Sequence, residues 1–370
     1  MITYNLNHVN GLFFELLTDE GKNREYDVSF IDKSKVVEHP IYESKMKVNT
    51  WVRLDRKYLS DISIVVSFEG RTITQINLLK EIINKKVFIS FESSALGDNI
   101  AWMPYCLEFK KIYQCDVVVS TFHNHLFEKE YPELTFVGRG VVVNDIFAMF
   151  ELGWFWDKSK EPVNPVTIPL QQSACNILNL PFIEIKPRID FTPTQRPIED
   201  KYVAISIHST SRLKLWDYWQ SVVDYLTDEG YKVIEISKIE RDHKSFYTQP
   251  QLTNITQLEN TSIANTMNVI HHSELYIGLS SGLSWLSWAL NKQVVMIANF
   301  TDKSHEFQSN CVRVTSGSVC NGCWNNPMFK FDKGNWEYCP QHEDTPRQFE
   351  CHKSIKAEEV IKQIKTLRNL

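Results

Sequence analysis

The sequence predicts an α/β protein with two doubly wound halves preceded by a strand-rich segment. Two runs of alternating apolar strands and amphipathic helices predict the halves, and a proline-rich interval separates these runs. The chain of 370 residues, 43% of them hydrophobic, is long enough for at least two cores. The predicted domains are 1–84, which is strand-rich, 85–198, which holds the first half and the linker, and 199–370, which holds the second half.

The first segment has the pattern of antiparallel strands. Short runs such as "ITYNL", "YDVSFI" and "ISIVVSFE" alternate apolar and polar residues and are separated by turn residues. Few runs in this segment are long enough to form a helix. We therefore expect a small sheet or barrel that forms an accessory domain.

The first α/β half begins with a β-α-β unit. The strand Val87–Phe91 leads through a glycine-containing turn into an amphipathic helix and then into the strand "DVVVST". Such a unit implies parallel strands and a right-handed crossover. "LTFVGRG" and "FAMFELGWF" are predicted as further strands, and the proline-rich linker contains one helix, "QQSACNILNL".

The second half repeats this alternation. Its predicted strands are "KYVAISIHS", "YKVIEIS", "ELYIGLS" and "KQVVMIAN", with a helix between each pair, and "KAEEVIKQIKTLRNL" closes the chain as an amphipathic helix. Folds of this kind bind ligands outside the carboxyl ends of their parallel strands. The candidate chemical groups are therefore expected on strand-to-helix turns that face a cleft between the halves.

Composition narrows the functional classes. The formal net charge is −5, so the chain lacks the basic excess that nucleic-acid binding usually requires. The sequence contains neither a signal-peptide pattern nor an apolar run long enough to span a bilayer, which predicts a soluble cytoplasmic protein with no membrane partner. In a reducing compartment the eight cysteines are expected as free thiols or metal ligands rather than disulfides.

Three turns carry residues suited to chemistry. In "SSALGDNIAW", Asp98 is either a helix cap or a general base that takes a proton from a hydroxyl. In "SIHSTSRLKLW", Ser209, Thr210 and Lys214 suit a diphosphate, although hydroxyl-rich turns are commonly only loop chemistry. The third turn, in "IGLSSGLSWLSWAL", suits a phosphate near a helix start. Its small residues are Gly278, Ser280, Ser281, Gly282 and Ser284.

The cysteine-rich insertion, residues 316–354, predicts a metal site. Its cysteines are Cys320, Cys323, Cys339 and Cys351. Their spacing suits one tetrahedral centre for zinc or mononuclear iron, and unconnected thiols are the alternative. A site with four thiolates is coordinatively closed, which predicts a structural role and no catalytic metal. His342 and His352 flank the cysteines and are alternative ligands.

The motifs "SALGDNIAWMPY", "STSRLKLW", "YIGLSSGLSWLSWAL" and "CNGCW…WEYCPQHEDTPRQFEC" together resemble the bacterial autotransporter heptosyltransferases, the TibC-like family. The resemblance spans about Phe88 to Cys351. It implies a GT-B glycosyltransferase that moves heptose from ADP-heptose to serine hydroxyls of an autotransporter adhesin, with inversion at the anomeric carbon. It also implies that Asp98 is the base and that Lys214, Ser209 and Thr210 bind the nucleotide sugar. The residues of the third turn that the resemblance assigns to the nucleotide are Ser281, Gly282, Leu283 and Ser284.

The resemblance also has implications for the metal and the assembly. The four cysteines match a structural site for ferric iron, with zinc as the alternative, and the family forms large homo-oligomeric rings, a dodecamer being one candidate size. In wider lipopolysaccharide relatives an Asp and a His commonly flank the third turn, where this chain has Ser280 and Trp285. Two competing functions stay open. One is a GT-B enzyme with another nucleotide sugar, and the other is a non-enzymatic zinc-ribbon module.

Overall fold

The computed structural model describes residues 2–18, 24–34, 39–237, 242–243, 247–248, 251–258, 261–329, 331 and 338–368. The chain divides into two compact units. The first comprises Met1–Ser94, Trp102–Pro165 and Gln171–Ile185, and the second comprises Ala95–Ala101, Val166–Leu170 and Lys186–Leu370. This division differs from the three predicted domains, whose boundaries stay a prediction. Within the described ranges, no helix combines the length and apolar character needed to cross a bilayer.

The first unit begins with seven strands in two antiparallel sheets, as the alternation predicts. They are β1 (Thr3–Asn7), β2 (Leu12–Thr18), β3 (Glu25–Asp32), β4 (Pro40–Lys47), β5 (Thr50–Leu54), β6 (Ile62–Phe68) and β7 (Arg71–Asn77), followed by the short helix α1 (Leu78–Glu81). The strand orders are β1-β2-β5 and β4-β3-β6-β7. In β3, Val28 and Phe30 are buried while the intervening positions are more exposed, because successive side chains of a strand point to opposite faces.

A four-stranded parallel sheet completes the first unit. The elements in this part of the chain are β8 (Lys86–Phe91), α2 (Leu96–Tyr113), β9 (Asp116–Ser120), β10 (Thr135–Phe136), β11 (Ala148–Leu152) and α3 (Leu170–Leu178). The start of α2, up to Ala101, and Leu170 of α3 belong to the second unit. The order is β10-β9-β8-β11, with every pairing parallel. The predicted β-α-β unit is confirmed, although "LTFVGRG" pairs over only two residues. His8 joins the strand-rich segment to this sheet through a parallel bridge to Ala148.

The second unit contains a six-stranded parallel sheet. Its elements are β12 (Tyr202–Ser206), α4 (Trp219–Asp228), β13 (Lys232–Glu235), β14 (Asp242–His243), β15 (Tyr247–Thr248), β16 (Thr256–Gln257), α5 (Ile263–His272), β17 (Leu275–Leu279), α6 (Gly282–Ala289), β18 (Val294–Ile297), β19 (Cys311–Val314), α7 (Glu350–Ser354) and α8 (Ala357–Arg368). The sheet order is β16-β13-β12-β17-β18-β19, while β14 and β15 form a separate antiparallel pair. The four predicted strands are confirmed, and β16 and β19 are additions at the two edges.

The strand order creates a switch point between β12 and β17. From β12 the chain builds outward through β13 to β16, and it then returns to place β17, β18 and β19 on the other side. Ile205 lies opposite Ile277, and Ser206 lies opposite Gly278. The turns that follow these two strands therefore leave the sheet side by side, at the position where doubly wound sheets bind ligands.

Candidate active site

The turn after β12 presents Lys214 on a short helical turn. Ser211 caps that turn, because its Oγ accepts a hydrogen bond of 3.2 Å from the backbone N–H of Leu213. Ser209 is buried and Thr210 is exposed, so the two predicted hydroxyls have different accessibility. This structure holds the ammonium of Lys214 at the carboxyl edge of the sheet.

The electrostatic surroundings of Lys214 are unusual for a lysine. Burial lowers its pKa to about 8, the negative charge of Asp98 opposes that fall, and the positive charge of Arg313 adds to it. The Nζ atom also lies 5.8 Å from the centroid of the Phe300 ring. Burial has destabilised the charged form of this lysine, and a bound anion would stabilise that form again. The site is therefore suited to an anionic ligand.

Asp98 belongs to the same unit as Lys214. It lies in the first turn of α2, two residues after the helix begins, so it does not occupy the N-cap position. Its side chain is 9% exposed, and a carboxylate in a first helical turn is stabilised by the helix dipole. Together with the opposite charge of Lys214, this location favours an ionised carboxylate, as a general base requires.

Close backbone approach joins the Asp98 turn to the start of α6. A Cβ atom on Gly97 would lie 3.1 Å from Cδ1 of Trp285 and 3.4 Å from Cα of Gly282. Conversely, a Cβ atom on Gly282 would lie 3.1 Å from the backbone nitrogen of Gly97. The two glycines let these segments pack together, so the three predicted turns meet within one unit.

The third turn forms the N-terminus of α6. Ser281 occupies the N-cap position and, like Gly282 and Leu283, is partly exposed. Ser284 is fully buried, and its Oγ donates a hydrogen bond of 2.5 Å to the backbone oxygen of Leu279. The first backbone N–H groups of a helix lack partners inside the helix, so this turn can bind an anion through its backbone. The hydroxyl of Ser284 instead stabilises the turn.

Sequence reasoning missed Tyr276, a β17 residue whose side chain packs beneath the turn that begins α6. Its hydroxyl group is buried beside the hydroxyls of Ser206, Ser281 and Ser284, and burial raises its pKa to about 12. A Cβ atom on Gly278 would lie 2.3 Å from the Tyr276 hydroxyl oxygen, so only glycine leaves room for it. The spacing of two residues that puts Tyr276 on the same face of β17 as Gly278 is the signal that could have found it.

The loop after β18 and the strand β19 that follows it add further charged groups to the same region. Burial lowers the pKa of Arg313 to about 10, and the negative charge of Asp302 opposes that change. Burial also lowers the pKa of His305 to about 3, with the positive charges of Lys214 and Arg313 contributing. His305 is therefore neutral, and the site carries its positive charge on Lys214 and Arg313.

The four cysteines of the insertion gather in the second unit. Burial raises the pKa of Cys323 and of Cys351 to about 12. The neighbouring thiols add to both shifts, and the Cys351 thiol interacts with Cys320, Cys323 and Cys339. All four are free thiols. Thiols that oppose each other's ionisation in this way are suited to a cation, which would convert them to thiolates.

One group in the described part of the insertion has ligand atoms close enough to share a metal ion. The ligand atoms of Cys320, His342 and Glu350 lie within 4.8 Å of one another. The Glu350 carboxylate, however, is already paired with Arg347, with Nε to Oε2 at 2.9 Å and Nη2 to Oε1 at 2.5 Å. Among the described residues, the four cysteine sulfurs do not come within that distance of one another as a set, although four thiolates would form a complete tetrahedral set for zinc or iron.

The insertion is packed directly against the segments that follow β12 and β18. Asn299 lies just after β18. Its side-chain amide accepts a hydrogen bond of 3.0 Å from the Ser316 N–H and donates one to the backbone oxygen of Cys351. Its backbone carbonyl accepts a hydrogen bond of 2.7 Å from the Gly322 N–H. The guanidinium of Arg212 lies 4.7 Å from the centroid of the Phe349 ring. Order in the cysteine cluster is thereby coupled to the turn that carries Lys214.

Comparison with known proteins identifies the family. Residues 137–336 match the family described as glycosyltransferase family 9 (heptosyltransferase), which is more than half of the chain. The chain belongs to this family. Its curated relatives include the autotransporter heptosyltransferase Aah of Escherichia coli, which is 31% identical over 333 residues that cover 86% of this chain and 83% of Aah.

Two other relatives are informative. The crystal structure of the iron-containing dodecameric glycosyltransferase TibC from enterotoxigenic E. coli H10407 matches with a TM-score of 0.86 and 26% identity, covering 99% of this chain and 96% of TibC. TibC has also been solved in complex with ADP-D-beta-D-heptose. BimC of Burkholderia thailandensis, an inactive autotransporter heptosyltransferase, is 27% identical over 337 residues, covering 89% of this chain and 79% of BimC. The GT-B fold and the family that the sequence motifs implied are confirmed.

Proposed function

We propose that this chain transfers heptose from ADP-heptose to serine hydroxyls of an autotransporter adhesin, with inversion at the anomeric carbon. The observation that carries this proposal is the meeting of the Asp98, Lys214 and α6 turns within one unit of a family 9 chain. Together they supply a base, a cation and backbone donors for a diphosphate.

The reaction is a single displacement. The acceptor serine oxygen forms a bond to the anomeric carbon as the bond from that carbon to the ADP oxygen breaks on the opposite face. Asp98 takes the serine proton during the attack, which makes the serine oxygen a stronger nucleophile. Lys214, the Ser209 and Thr210 turn and the N-terminus of α6 stabilise the charge that develops on the departing ADP. These groups neutralise the leaving diphosphate, and the proposed mechanism uses no catalytic metal.

The insertion is proposed to hold one structural ferric iron, with zinc as the alternative. Cys320, Cys323, Cys339 and Cys351 would be the ligands, and the metal would order the insertion rather than contact substrate. The similarity to TibC supports iron and a homo-oligomer, for which a dodecameric ring is the proposed size. A nucleotide-sugar donor and unpaired thiols both suit the cytoplasm, where we place the protein.

A donor screen tests the proposed function. Purified protein, an autotransporter passenger and ADP-heptose should give an acceptor that gains whole heptose units by intact-mass spectrometry. ADP-, UDP- and GDP-hexoses serve as the competing donors, and faster transfer from any of them would replace heptose as the substrate. ADP binding without transfer from any donor would place the chain with inactive relatives, and absence of both would favour the zinc-ribbon alternative.

The kcat/KM for ADP-heptose should depend on whether Lys214 is charged. Its pKa of about 8 means that the ammonium is charged below that pH and becomes neutral as the pH rises through it. The diphosphate needs the charged form, so kcat/KM for ADP-heptose should fall about tenfold per pH unit above the pKa. Initial rates at limiting donor concentration across this range measure the effect.

Arginine substitution tests the assignment of this pH dependence. Lys214→Arg keeps a positive charge that does not titrate in this range, so the fall above pH 8 should disappear. Lys303→Arg, a change at an exposed lysine, is the matched control and should keep the wild-type profile. A Lys214→Arg enzyme with an unchanged alkaline fall would assign the titration to another group.

A further inference from the structure

A buried carboxylate lies behind the turn that begins α6. Glu306, in the loop after β18, is 4% exposed. It accepts a hydrogen bond from the Ser280 hydroxyl and one of 3.0 Å from the Thr301 hydroxyl, and it forms an ion pair with Arg313. Each of these groups also lies in the second unit. The carboxylate is thus the common acceptor for three separate segments.

The Glu306 carboxylate is both paired with a positive charge and hydrogen-bonded. A buried carboxylate is stable only when it is paired and hydrogen-bonded, and the Arg313 side chain, 11% exposed, supplies the compensating charge. Arg313 also donates to the Thr301 hydroxyl over 3.3 Å, while that hydroxyl donates to Glu306. The carboxylate oxygens are therefore committed to protein groups, so Glu306 acts by holding its neighbours rather than by contacting a substrate.

The neighbours that Glu306 holds are parts of the donor site. Ser280 directly precedes Ser281, the N-cap residue of α6, so the Ser280 side chain controls the direction in which the first N–H groups point. Arg313 is close enough to Lys214 for the two charges to influence each other. One carboxylate thereby fixes both the backbone donors and a neighbouring positive charge.

We propose that Glu306 is a positioning residue of the donor site, because its carboxylate holds the Ser280 hydroxyl next to the N-terminus of α6 and pairs with Arg313. This role rests on the proposed use of a nucleotide diphosphate donor.

Calorimetric titration with ADP tests this role without requiring transfer. Glu306→Gln keeps the side-chain shape but removes the charge, so ADP affinity should fall at least tenfold and KM for ADP-heptose should rise by the same factor. KM for the acceptor and the metal content should not change. Glu229→Gln, at an exposed glutamate, is the matched control and should bind ADP like the wild type.

A double substitution separates positioning from general stability. Ser280→Asp alone places two carboxylates against each other and should also weaken ADP binding at least tenfold. Ser280→Asp combined with Glu306→Gln leaves one carboxylate in the network, and ADP affinity should return to within about threefold of wild type. A merely structural role predicts that the double variant is no better than the worse single one.

The outcomes distinguish this role from the function on which it rests. Wild-type protein that binds no ADP would overturn the proposed function and the role of Glu306 with it. Wild-type binding that Glu306→Gln leaves unchanged would overturn the role alone. If Glu306→Gln does not fold, the double variant decides: folded protein with restored ADP binding supports positioning, and an unfolded or non-binding double variant refutes it.

Discussion

Replacement of Asp98 by asparagine is expected to slow heptose transfer severely while ADP still binds. A positioned general base contributes about 10²–10⁴-fold to rate, so kcat should fall by a factor in that range. Asparagine keeps the size of the side chain at its 9% exposed position in the first turn of α2, but it cannot accept the serine proton. Single-turnover transfer and calorimetric ADP binding, measured on the same preparation, separate the chemical step from donor binding.

The same variant should change the pH range of donor binding. The charge of Asp98 raises the pKa of Lys214, so its removal should move the alkaline limit of ADP binding below the wild-type limit near pH 8. Asp116→Asn, at an exposed carboxylate that begins β9, is the control and should leave both properties unchanged. Near wild-type turnover in both Asp98→Asn and Asp98→Ala would remove Asp98 from the role of base.

Loss of one cysteine ligand is expected to remove the metal and destabilise the second unit. Cys320→Ser and Cys351→Ser each break the set of four thiolates, and structural metal sites contribute directly to folding free energy. Since that contribution can match the total stability of a domain, about 5–15 kcal/mol, we expect a large loss of folded yield. Elemental analysis and thermal melting measure the two effects, and thiolate-to-iron absorption bands report which metal is present.

The coupling through Asn299 adds a functional consequence. The Asn299 side chain bonds the backbone at Ser316 and Cys351, and the insertion packs on Arg212, two residues before Lys214. Any folded remnant of the two variants should therefore bind ADP more weakly. Cys311→Ser, at a partly exposed thiol on β19, is the matched control and should retain metal, yield and ADP affinity. A metal-free Cys320→Ser protein with full stability and activity would refute the structural assignment.

The sequence predicts the strand and helix alternation well because side-chain periodicity records which faces are buried. Val203, Ile205 and Ile277 lie in strands buried on both faces, and their continuous apolar runs marked β12 and β17 as parallel strands. The edge strands β16 and β19 were missed for the same reason, since two-residue or partly exposed strands carry little periodic signal.

The sequence predicted where the candidate residues lie along the chain, but not which of their side chains are buried. Chain position alone made Asp98, Lys214 and Ser281 candidates, because each lies on a turn that follows a predicted strand. It could not show that the Ser284 hydroxyl is buried and hydrogen-bonded to the Leu279 carbonyl, whereas Thr210 is exposed. Burial depends on the packing of segments that are distant in sequence, and no local pattern contains that information.

By itself the sequence determined the alternation of elements, the three turns and the spacing of the four cysteines, because local periodicity and spacing encode them. Only the tertiary structure decided that Asp98 lies in the same unit as Lys214, that burial brings the Lys214 pKa to about 8, and that Glu306 supports Ser280. Strand order and the burial of side chains away from water produce these properties. Both depend on which distant segments of the chain pack together, so no local pattern contains them.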